Sequence, residues 1–205
     1  MKGDVTQSTL SLAILGLIAL EPSSGYDLRR IFTTTPMGHF STSPGAIYPA
    51  LRRMERRGLI EGSIERGDTL RPRRIYSVTR EGRRVLRERL SQHVTNDDVR
   101  WRLDELMLRF SFMGEIVGKE RSSEFLAELV ERIDAHVRSL KEHLDAQRDR
   151  MPVTGVYALE QGIVKYEATA RWARRVLREL RKKQLMKNMR GKGTESTLSN
   201  NRIEW

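Results

Sequence analysis

The hydrophobic period of this chain changes twice before residue 80, and that limits the folds open to it. Up to Arg57 the apolar residues fall into short helical segments. "LIEGSIER", "GDTLRP" and "RRIYSV" then read as two short strands rich in Ile, Val and Tyr, with Gly67-Asp68 supplying the turn. From Thr79 onward the helical period returns and holds to Leu180. The fold class is therefore mainly α with a small β-hairpin.

The punctuation supports this division. Thr9–Leu20 is apolar nearly all round, so it is expected to be a deeply buried helix. Behind Lys2 it superficially resembles a signal-peptide core. Asp4 sits in the would-be charged region, however, and no small-x-small cleavage site follows. "EPSSG" breaks this helix, and Ser23 or Ser24 can cap a second, "GYDLRRIF". "TTTPMGHFSTS" reads as a loop. Ser43 as N-cap and Pro44 at the first helical position start a third helix, which Gly58 ends. Thr79 caps a fourth, "REGRRVLRERL". Three small helices, a basic hairpin and a further helix make a winged helix-turn-helix pattern over residues 1–92.

The remainder is helical. Leu103, Leu106, Phe110 and Met113 recur at steps of three and four, as do Leu126, Leu129 or Val130, Ile133, Val137, Leu140 and Leu144. After the breaker "MPVTG" comes a heptad seam of Leu159, Ile163, Tyr166, Ala170, Ala173, Leu177 and Leu180. Residues 93–185 are expected to form a helical dimerisation or effector domain. The favoured partner of the seam is a second copy; the alternative is packing within the chain itself. Residues 186–205 read as a polar, flexible tail.

Charge narrows the function classes. The 205 residues carry 38 Lys and Arg against 27 Asp and Glu, a net charge of +11. Residues 1–92 hold 16 basic and 9 acidic side chains, and the basic ones are nearly all Arg. Arg forks suit phosphates and guanine edges. There is no cysteine, which removes disulfides and thiolate metal sites. No segment has the apolar length of a membrane span. The expected location is the cytoplasm.

On a helical wheel of residues 44–57, Ile47, Leu51 and Met54 fall within about 60 degrees and face the core. Gly45, Pro49, Arg52 and Arg56 lie opposite, flanked by Tyr48 and Arg53. The outward face is small at its start and positive further along, a shape that lets a helix approach base-pair edges. Pro49 conflicts with a helix running from Pro44. Either the helix starts only at Pro49, or, as favoured, a kink is tolerated for the sake of that surface. Arg71, Arg73 and Arg74 lie at or after the hairpin tip and would add charge along the DNA backbone.

"SPGAIYPALRRMERRGLIEG" followed by "RPRRIYSVTREGRR" resembles the winged-helix domain of PadR-family transcriptional regulators. "LAILGLIALEPSSGYDL" is similar to that family's opening helices, and "ATARWARRVLREL" to the helical dimerisation domain of its longer members. The most specific parts are the Tyr-Pro element and the set Tyr76, Thr79 and Gly82. The resemblance implies a homodimeric DNA-binding repressor, often responsive to a small aromatic molecule. By position, Thr42, Ser43, Tyr48 and Pro49 at the recognition-helix start and Arg73 and Arg74 in the wing would touch DNA. The wing tip lacks the Gly-Gly and Lys often seen there. An inverted-repeat operator on double-stranded DNA is expected.

Other chemistry finds little support. His39, His93, His136 and His143 are scattered, and "GIVKYE" is no phosphate loop. Acidic residues form helix-surface pairs such as Glu128 with Arg132. No catalytic residue, metal site or cofactor is expected. Trp101, Phe110, Tyr166 and Trp172 are the candidates for a flat apolar effector, with Trp101 foremost, although each is more readily a core residue. Two other readings stay open: an architectural nucleic-acid binder without sequence preference, and a sensor or adaptor whose head binds protein.

Overall fold

The computed structural model describes residues 8–40, 44–65 and 72–198. They form two compact units. One comprises the described residues up to Gln92 together with Met107–Val117; the other comprises His93–Leu106 and the described residues from Gly118.

In the first unit α1 (Thr9–Leu20) is the central helix, capped by the Ser8 hydroxyl. Leu12, Ala13, Ile14, Leu15 and Ile18 are all buried, as an all-apolar helix requires. Ser24 caps α2 (Gly25–Thr34) in a reciprocal box with Asp27. The stretch read as loop begins inside α2 and continues as a 3-10 helix, Pro36–Phe40. A second 3-10 turn, Pro44–Ala46, leads into α3 (Ile47–Arg56).

The register of α3 corrects two expectations. Its N-cap is Ala46, with no side-chain hydrogen bond; Ser43 lies outside the described residues. Pro49 is then the third residue of the α-helix, within the first turn, where no intrahelical bond is owed by its nitrogen. The conflict over Pro49 disappears, because the 3-10 turn absorbs the residues before Ile47. Gly58, at φ +68°, ends the helix in a Schellman motif. Leu59 N–H donates to Met54 C=O and Gly58 N–H to Glu55 C=O.

β2 (Ile60–Glu65) and β3 (Arg73–Val78) pair antiparallel, with Ile60 opposite Val78 and Glu65 opposite Arg73. A third strand is added to the expected hairpin: β1 (Ser23–Ser24) pairs with β3, giving the order β1-β3-β2. α4 (Arg80–Leu90) starts at a crowded joint. Thr79 N–H donates to Leu59 C=O, its hydroxyl donates to Gly58 C=O at 2.6 Å, and Gly82 N–H donates back to that hydroxyl. A Cβ on Gly82 would lie 1.9 Å from the Leu59 carbonyl oxygen. That close approach explains why Thr79 and Gly82 occur together.

α5 (Asn96–Trp101), capped by a Thr95–Asp98 box, is a further element that periodicity does not announce. α6 (Leu103–Ile116) contributes its residues from Met107 to the first unit. There the buried Arg109 donates to the Gln92 carbonyl, with the Leu90 carbonyl at 3.5 Å, at the end of α4. The Phe112 ring fills the space over Gly16, where a Cβ would meet it at 2.5 Å.

In the second unit α7 (Lys119–Gln147) and α8 (Val153–Leu198) form an antiparallel pair. Asp134 pairs with Arg174, Lys141 with Glu167 and Arg148 with Glu160. Ile163, Ala170 and Ala173 of the heptad seam are buried, and so are Leu126, Leu129, Ile133 and Val137 of α7. α8 continues to Leu198, so residues 186–198 of the expected polar tail are helical; residues 199–205 lie outside the described residues. No proline interrupts that stretch, and Met, Lys, Arg and Leu are good helix formers. Glu128 does not pair with Arg132 as its spacing suggests. It accepts from Arg121, His93 and the Val94 N–H, because it lies on the side of α7 facing that segment.

Two outcomes test these packing statements. Gly82→Ala should lower unfolding stability by roughly 2–4 kcal/mol, since the obstruction is backbone and cannot rotate away; urea denaturation measures it. Burial alone would raise the Glu128 pKa, but the hydrogen bonds from Arg121, Val94 and His93 and the Arg121 charge hold it down at about 2. Its contribution to stability is present above the ordinary carboxylate range and lost as pH falls from about 4.5 toward 2. Glu128→Gln should therefore flatten the pH dependence of thermal unfolding in that window.

Candidate nucleic-acid interface

The outward face of α3 is built by its inward one. Ile47, Ala50, Leu51 and Met54 are buried and fix the helix rotation, leaving Arg52 and Arg56 exposed one turn apart. Arg53 and Pro49 are half-buried. Tyr48 is 44% exposed, and its ring lies against the start of α2. A Cβ on Gly25 would meet that ring at 2.7 Å. Gly25 thus seats Tyr48, which connects the Gly-Tyr pair of α2 to the Tyr-Pro pair of α3.

The wing arginines separate. Arg73 is exposed, and its charge helps lower the Asp27 pKa, behind the larger effect of the Ser24 hydroxyl. Arg74 turns toward α3 and pairs with Glu55 at 2.6 Å. Thr42, Ser43 and Arg71 lie outside the described residues. Sequence reasoning passes over Glu55 and Gly62, although a glycine inside a strand is a signal of close approach. It also passes over the exposed Tyr26, Arg29 and Arg30 of α2.

The four aromatic candidates divide between the units. Phe110 is half-buried in the first. In the second, Trp101 is 79% exposed at the end of α5 and Trp172 is half-buried on α8. The Tyr166 hydroxyl donates to Val99 C=O at 3.3 Å, and its ring stands edge-on to His136 at 4.8 Å. Burial raises the Tyr166 pKa; burial and the Arg100 charge lower that of His136. None of the four lines the cavity of about 10 Å³ between Leu12, Met54, Leu59 and Leu86, which has room for one water.

Among the described residues no helix is long and apolar enough to cross a membrane. The family model described as "Transcriptional regulator PadR-like family" matches residues 14–88, from α1 to near the end of α4. A curated relative, the negative transcriptional regulator PadR of Bacillus subtilis (strain 168), is 28% identical over 123 residues. That match covers 60% of this chain and 66% of the relative, just under two thirds of its length. Among solved structures, the PadR-like transcriptional regulator BC1756 from Bacillus cereus is 26% identical, over 82% of this chain and 94% of that one, with a TM-score of 0.38. Bacillus subtilis PadR in complex with operator DNA is 22% identical, over 82% and 97%, with a TM-score of 0.37. The same protein with p-coumaric acid is 19% identical, over 88% and 98%, with a TM-score of 0.37. Over residues 14–88, then, the chain is similar to the transcriptional regulator PadR-like family.

Proposed function

We propose that this regulator is a sequence-specific repressor that binds an inverted-repeat operator in double-stranded DNA as a cytoplasmic homodimer. The observation that carries the reading is the outer face of α3. Arg52 and Arg56 stand exposed on a helix whose other side is locked into the core, beside the seated ring of Tyr48. Tyr48, Pro49 and Arg53 complete the proposed contact face, Thr42 and Ser43 precede it, and Arg73 and Arg71 serve the wing. The curated relative's designation as a negative regulator supports repression.

The dimer reading is supported by what α8 leaves uncovered. Its heptad seam is used against α7, yet Val153, Tyr157 and Val164 remain exposed on the same helix. A second copy is the natural cover for them. A small-molecule effector, flat and aromatic in this reading, would act on the helical half near Trp101, Tyr166 and Trp172. It would relieve repression by favouring one spacing of the two heads. No cofactor or metal takes part in this reading.

Selection of bound sequences from a random duplex library, at two salt concentrations, tests it. The expected result is an inverted repeat whose half-sites lie about one helical turn, roughly 34–36 Å, apart. Arg52→Ala with Arg56→Ala should weaken binding at least about tenfold and reduce the salt slope by about one for each of these arginines that touches a phosphate. Binding with no enriched sequence and a steep salt dependence would instead identify an architectural nucleic-acid binder.

A further inference from the structure

Arg74 does not extend along the wing. Its guanidinium pairs with Glu55 on the last turn of α3 at 2.6 Å and lies 5.7 Å from the centre of the Tyr76 ring. The register explains the route. Gly62 stands opposite Tyr76 and Ile64 opposite Arg74, so Arg74, Tyr76 and Gly62 project on one face of the hairpin. The side chain leans back along β3, away from the tip, through the space that Gly62 leaves. A Cβ at Gly62 would lie 2.4 Å from Arg74 Nε, 3.0 Å from Glu55 Oε1 and 3.2 Å from Tyr76 Cε1. Three separate residues are thus fitted around the Arg74 side chain: an acid on the helix, a glycine on β2 and an aromatic ring beside the guanidinium.

We infer that Arg74, Glu55 and Gly62 form a brace that fixes the hairpin against the recognition helix, and that Arg74 is a positioning residue rather than a phosphate ligand. The inference rests on the DNA-binding reading above and separates the wing arginines by role. Arg73, exposed and on the other face of β3, keeps the contact role. Arg74 has its charge already answered by Glu55, and leaving that carboxylate would uncover an acid beside the DNA. The brace sets where the wing falls when α3 sits in the groove, which determines whether helix and wing engage one duplex together.

Operator affinity measured across a salt series in the full-length protein distinguishes the two roles. Glu55→Gln, Gly62→Ala and Arg74→Gln should each weaken binding by roughly two- to five-fold, with the salt slope of the wild type. Gly62→Ala is the decisive variant, because it changes no charge and its new Cβ falls foremost on the far part of the Arg74 side chain. Arg73→Gln should lower the slope by about one. Thermal unfolding of each variant at wild-type temperature excludes a general loss of fold. Tighter binding by Glu55→Gln, unchanged binding by Gly62→Ala, or a slope reduced by about one in Arg74→Gln would overturn the brace. A wild-type protein that enriches no duplex sequence would overturn the DNA reading itself, before any variant is compared.

Discussion

The first unit depends on one close approach of backbone to backbone. At Gly82 the first turn of α4 rests on the carbonyl of Leu59, with no room for a side chain between them. Thr79 closes the same joint with its own N–H and hydroxyl. Four elements converge there: the end of α3, the start of β2, the end of β3 and the start of α4. The Schellman motif at Gly58 turns the chain out of α3 and delivers Leu59 to that point. The hairpin therefore leaves α3 from a fixed origin, and the direction of the wing is decided at its base.

Polar chemistry then refines what packing has set. Buried Ile47, Leu51 and Met54 fix the rotation of α3, and the arginines on its other side follow without further instruction. Charge alone does not tell which arginines are available to a partner. Arg52 and Arg56 are exposed, Arg53 is half-buried, and Arg74 is engaged by Glu55. The Gly25 seat for Tyr48 works in the same way: a missing side chain on one helix positions a present one on the next.

Much of this is legible in the residues. The helices of the first unit, the hairpin and the inward face of α3 follow from periodicity and caps, since burial and backbone hydrogen bonding act on local pattern. What the sequence does not disclose is set by tertiary partners. β1 is two residues long and exists because β3 lies beside it. Glu128 has a helical neighbour in Arg132 but bonds to the segment at His93 and Val94, a choice made by packing and not by spacing. The start of α3 is ambiguous in sequence because Pro44 reads equally as the opening of an α-helix or of a 3-10 turn. At the candidate interface, the outward arginines are readable; Arg74 is not, since its partner lies nineteen residues back, on another element.

The membership of Met107–Val117 in the first unit has a consequence for how this chain can be taken apart. The polypeptide passes from one unit to the other three times: after Gln92, after Leu106 and after Val117. The head is therefore not a contiguous cassette. A gene fragment ending at residue 92 would omit the guanidinium that closes the end of α4 and the ring that covers Gly16. The smallest piece that contains the whole head also contains α5 and the rest of α6. Recombination at a single junction after Val117 would move this head only together with His93–Leu106 of the other unit.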